Sequence, residues 1–148
     1  MTFFDTGIRV SELINLKLSQ VKDEYILIHG KGDKERVVPK SPLLNKWMFK
    51  YLSTRENFFA YRRVPENVFL SRNGRPMTTE AIHRVIKIAG KAVGVSKDIR
   101  VSPHTCRHTF AQMQLKNGLD LYSLSRLMGH SNIPSHSGIW KDCETSRC

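Results

Sequence analysis

Arg9, Lys31, His104, Arg107 and His130 are the side chains of this sequence best placed to bind an anion or move a proton. The densest stretch is PHTCRHTF, residues 103–110. His104 and Arg107 are three residues apart, so on a helix they project from one face of its first turns. A helix N-terminus already favours anions through its free N–H groups and its dipole. An arginine and a histidine at that end make a phosphate site. His104 and His108 also have the spacing of zinc ligands, but the glutamate of the HExxH pattern is missing, and zinc is the weaker reading.

The other candidates say less on their own. Arg9 follows a Thr6-Gly7 turn at a helix entrance, and arginine is rarely buried without a partner. By itself it reads as one half of a surface ion pair. Lys31 and Lys34 lie in the turn GKGDKE, where a lysine is usually solvated. From a hairpin tip it could also reach a DNA groove or protonate a leaving oxygen. His130 follows Gly129 just past a helix end, with its ring free to face a site.

These residues need elements to hold them. Val10, Leu13, Ile14 and Leu16 come close to helical spacing, whereas EYILIHG and RVVPK read as two strands joined by the GKGDKE turn. Residues 43–59 are expected to form a helix with Leu44, Trp47, Met48 and Tyr51 on one face. VFLS, at 68–71, reads as a short strand. A helix follows Thr78, carrying Ile82, Val85, Ile86, Ala89 and Val93 and closed by Gly94. Another starts at Pro103 and stops at Asn117-Gly118, and the last, LYSLSRLM, runs from an Asp120 cap to Gly129. The expected fold is mostly α with one small antiparallel β-sheet.

Charge narrows the partner. The 148 residues hold 24 Lys and Arg against 13 Asp and Glu, a net charge of +11 spread along the chain. That is the footprint of a folded surface that meets a polyanion. No run of 18 apolar residues suggests a membrane span, and no basic amphipathic helix suggests a lipid surface. The start, MTFFDTGIRV, lacks the pattern of a secretory signal. Three widely spaced cysteines make neither a disulfide framework nor a zinc pattern, so a reducing, cytoplasmic setting is expected.

Taken in order, TGIRVSEL, GKGDKERVVP, HTCRHTFA and LSRLMGHSNI resemble the tyrosine recombinase, or phage integrase, family over residues 1 to about 133. The resemblance implies a mostly helical catalytic domain that cuts and rejoins double-stranded DNA through a 3′-phosphotyrosyl intermediate, without metal or cofactor. Arg9 and Arg107 would hold the non-bridging oxygens of the scissile phosphate, with His104 and His130 completing the pocket. Lys31 would protonate the departing 5′ oxygen. Lys34, Arg36 and Arg84 are expected to contact DNA.

Two departures follow. The family's N-terminal DNA clamp and some upstream helices have no counterpart here, so weak DNA affinity and an incompletely covered core are expected. The family's nucleophile is a tyrosine nine residues after the second histidine, where this sequence has Ile139. Tyr25, Tyr51, Tyr61 and Tyr122 all precede His130, and Tyr122 is better read as an apolar-face or surface residue. Back-translating IPSHSGIWKDC and reading the neighbouring frame permits SITQRYLEGL, with tyrosine at position 139. Glutamate at 141 and leucine at 143 are then forced by the code. This motivates the hypothesis that one base was lost near codon 133, which the gene's nucleotide sequence would decide. On this reading residues 1–133 are a partial catalytic domain and 134–148 a divergent, disordered tail. The parent enzyme would be a tetramer on DNA and this chain a monomer. A DNA-binding remnant without strand transfer and a metal-dependent nuclease using His104 and His108 stay open as alternatives.

Overall fold

A computed structural model describes residues 1–30, 35–96 and 98–129. Helix α1 spans Thr2–Thr6 and α2 spans Val10–Asn15, followed by a 3-10 turn at Leu18–Gln20. Strands β1 (Tyr25–His29) and β2 (Glu35–Pro39) pair antiparallel. Four longer helices complete the described chain: α3 (Pro42–Phe58), α4 (Thr79–Ala92), α5 (Pro103–Lys116) and α6 (Leu121–Met128). The fold is mostly α with one two-stranded sheet, as the sequence pattern indicates.

Each of those four helices begins on a side chain that satisfies a free N–H of its first turn. Ser41 accepts from the backbone N of Leu44, Thr78 from Ala81, Ser102 from Thr105 and Asp120 from Ser123. Pro42 and Pro103 occupy the first helical positions, where a missing N–H costs nothing. Strand alternation sets which side chains turn inward. Ile26 pairs with Val38 and Ile28 with Arg36, and Ile26, Ile28 and Val38 are buried while Val37 is exposed. Arg36 therefore shares the inward face of β2 with Val38.

The main core joins α1, α2, the hairpin, α3 and α4 through residues such as Ile8, Leu16, Ile26, Leu44, Val68 and Ile82. A second cluster, Phe110, Ala111, Leu124 and Met128, locks α5 to α6. Gly7 sits at the junction. Its φ of 58° is left-handed, and a Cβ there would overlap the Phe110 ring. Gly7→Ala is expected to cost roughly 2–3 kcal/mol, from left-handed strain plus overpacking. The readout is a lower urea midpoint at unchanged slope; an unchanged midpoint would refute the tight approach of α1 to α5.

Several expectations are corrected. VFLS is not a strand: Asn67 and Leu70 make only isolated bridges, to Lys17 and Pro76. Here Asn67 is buried, donating to the carbonyl of Ile14 and accepting from Lys17 Nζ, and the backbone bonds from Leu18 N to Glu66 O and from Val68 N to Leu16 O make one bridge and no longer ladder. Helix α2 ends at Asn15, with Leu16 turned to extended geometry so that its side chain enters the core. Trp47 lies outside the buried stripe of α3, and Val85 and Ile88 on α4, with Val93 just past its end, are exposed beside buried Ile82. The tail at 134–148 lies outside the described residues.

Candidate functional site

The site is built at the C-terminal end of α6. A helix leaves its last carbonyls without helical partners, and its dipole is negative there, so cations collect. Three successive carbonyls each accept from a different arginine. Arg36 Nε donates to Leu127 O at 2.9 Å, Arg107 Nη2 to Met128 O at 2.7 Å and Arg9 Nη2 to Gly129 O at 3.1 Å. These arginines arrive from β2, α5 and the residue preceding α2. Arg107 Nη1 also donates to Gly7 O, which ties it to the turn before α2.

One carboxylate lies among them. Glu12 Oε1 accepts from Arg9 Nη1 at 3.0 Å and Arg36 Nη1 at 2.8 Å. Its Oε2 accepts from Arg36 Nη2 and from the backbone N of Arg9, both at 2.8 Å. The side chains of Glu12 and Arg36 are only 9% and 11% exposed, against 37% for Arg9. Burial alone would raise the Glu12 carboxyl. The hydrogen bond from Arg36, then the backbone N–H of Arg9 and the charge of Arg36, bring it from 4.5 down to about 2. Arg107 is lowered to about 10, first through burial and then through the charge of Arg9, with Arg36 adding to it and Glu12 opposing. It stays protonated at neutral pH.

Three guanidiniums against one carboxylate leave an uncompensated positive charge in a partly buried setting. An open cleft beside it, between α2, the hairpin and α6, is lined by Arg9, Lys17, Arg36 and Arg126 as well as Glu12 and Glu35.

The structure thus brings Arg9 and Arg107 together. His104 is exposed on the first turn of α5, one turn before Arg107. Lys31, Lys34 and His130 lie outside the described residues, although their sequence neighbours Gly30, Glu35 and Gly129 line the cleft. Arg84 is exposed on α4, outside the arginine cluster. Arg36 requires a correction. Expected to contact DNA, it faces inward and its fork is committed to Glu12 and Leu127. Glu12 was missed altogether, although its place three residues after Arg9, at the third position of a helix, is one from which a carboxylate reaches back to the cap. Tyr122 is 61% exposed with its ring 6.0 Å from the Arg126 guanidinium, a surface role. Among the described residues, no three His, Cys, Asp or Glu side chains group to hold a metal ion.

Comparison with known proteins gives the same direction. The phage integrase family matches residues 1–139. A tyrosine recombinase XerD of Lacticaseibacillus casei is 40% identical over 132 residues, and one of Staphylococcus aureus is 38% identical over the same length. Both alignments cover 88% of this chain and 44% of the relative, so the chain spans less than half the length of these relatives. The crystal structure of XerA recombinase superposes with a TM-score of 0.79 at 34% identity, over 88% of this chain and 47% of that one. XerH recombinase bound to its difH substrate shares the fold, with a TM-score of 0.75 at 23% identity over 88% and 38% of the two chains. This chain belongs to the phage integrase family.

Proposed function

We propose that this chain is the DNA-binding catalytic portion of a site-specific tyrosine recombinase, acting on double-stranded DNA in the cytoplasm and derived from a mobile genetic element. The observation that carries the reading is the excess of guanidinium over carboxylate at the end of α6. A guanidinium has five N–H donors. Among the described residues Arg9 commits two, to Glu12 and Gly129, and Arg107 two, to Gly7 and Met128. Three donors on each remain for the oxygens of one phosphate. Phosphoryl transfer builds charge on those oxygens, and donors already fixed in place stabilise it without reorganisation. His104 adds a donor from the exposed turn of α5. Lys31 protonates the 5′ oxygen, His130 completes the pocket, and Lys34 and Arg84 contact the DNA backbone. No metal or cofactor takes part.

No tyrosine follows His130 in this sequence, so the chain binds and polarises the phosphate but forms no phosphotyrosyl bond. It acts as a monomer in solution. Incubation with a nicked suicide duplex is expected to give a shifted complex and no covalent adduct. A covalent adduct would show that another tyrosine attacks, chelator-sensitive cutting would favour a metal nuclease, and no shift at low salt would remove the DNA reading.

A further inference from the structure

Outside the arginine pair, the β1–β2 hairpin holds a third guanidinium that the proposed reaction does not use. We propose that Arg36 is a positioning residue: it clamps β2 to both α2 and the last turn of α6, and so fixes the directions in which Arg9 and Arg107 present their donors. The proposal rests on the reading of that pair as phosphate ligands, and it replaces the expectation that Arg36 itself meets DNA.

The geometry is specific to a planar fork. Arg36 Nη1 and Nη2 meet the two Glu12 oxygens, each at 2.8 Å, while Nε reaches Leu127 O at 2.9 Å. Through Glu12 it orients Arg9, because the same carboxylate binds the Arg9 side chain and backbone N–H. Through Leu127 it fixes the turn whose next two carbonyls hold Arg107 and Arg9. Gly129 allows the close approach: a Cβ there would lie 2.8 Å from Arg36 Nη1, in a backbone at φ +70°. The cross-strand partner of Arg36 is buried Ile28, so an inward guanidinium here is kept only by full pairing. A lysine has the charge and three N–H donors, but all on one nitrogen, so it lacks the planar fork that meets both Glu12 oxygens while a separate nitrogen reaches Leu127 O.

The test is guanidinium 1H–15N NMR on the full chain. In wild type, Arg9, Arg36 and Arg107 are expected to give resolved Nε–H signals with slow side-chain exchange. Arg36→Lys conserves charge, and should speed exchange at Arg9 and Arg107 about tenfold or more while backbone amide signals of the distant α3 stay in place, as loss of a charged hydrogen bond implies. Unchanged Arg9 and Arg107 signals in a folded Arg36→Lys chain would overturn the proposal. A measurement on wild type covers the case in which that variant does not fold. Titration with a short duplex should shift Arg9 and Arg107 signals and leave Arg36 Nε–H unmoved; a shift at Arg36 as large as at Arg9 would make it a DNA contact instead. If no duplex binds, the DNA reading fails, and the Arg36→Lys comparison in the free chain still decides the positioning role.

Discussion

Arg107→Met is expected to weaken duplex DNA binding by roughly 10- to 100-fold and to lower stability by about 2–4 kcal/mol. Methionine preserves much of the volume, so the loss isolates the guanidinium. Removing a charged donor from a phosphate oxygen costs about 1.5–3 kcal/mol, and about 1.4 kcal/mol is a factor of ten in affinity. The stability term has a different origin. Arg107 bridges Gly7 O and Met128 O, joining the turn before α2 to the end of α6, and both carbonyls lose a partner together. Anisotropy titration at fixed salt and urea unfolding separate the two effects. A variant that loses stability but binds DNA like wild type would show that Arg107 is a strut and not a phosphate ligand.

Glu12→Gln should cost about 3–5 kcal/mol at neutral pH, because breaking a buried ion pair leaves Arg36 uncompensated and Arg9 weakly paired. The pH dependence gives a second handle. The folded Glu12 carboxyl titrates at about 2, below its ordinary 4.5. A depressed carboxyl contributes stability above the unfolded value, and that contribution is lost as pH falls through the folded one. A displacement of that size corresponds to roughly 3 kcal/mol. Wild type should therefore lose its advantage over Glu12→Gln between about pH 4.5 and pH 2, and the two stability curves should converge below that window. Parallel curves across the whole range would mean that the carboxylate is not the counter-ion the geometry indicates.

The longer helices were legible because their signals are local. Thr78, Pro103 and Asp120 mark helix starts, and Gly94, Gly118 and Gly129 close helices with left-handed backbone. Helix α1 was not, since five residues carry no period and its place is set by Phe3 and Thr6 packing inward. The 68–71 segment resembles a strand because Val68 is fully buried and bonds to Leu16 O, but its pairing stops at isolated bridges and a turn.

The site divides along the same line. Arg107 could be singled out from the anion chemistry of a helix start, and Arg9 only through the family resemblance, while the partner that Arg9 needs, Glu12, is three residues away. Arg36 lies two residues before Val38 on β2, a period-2 signal that already places its side chain on the inward face. What no local pattern could reveal is the convergence of three arginines on consecutive carbonyls of α6, since their partners lie 21, 91 and 120 residues away in sequence.

The most direct measurement of the central claim is the salt dependence of duplex binding for wild type and for Arg9→Gln combined with Arg107→Gln. Each phosphate contact made by a cation steepens the plot of log K against log salt by about 0.9. If both guanidiniums hold DNA phosphate, the double variant should show a slope shallower by about 2, with its fold verified by circular dichroism. An equal slope in the two proteins would mean that the arginines serve only the carbonyls of Gly7, Met128 and Gly129, and the phosphate site would not exist.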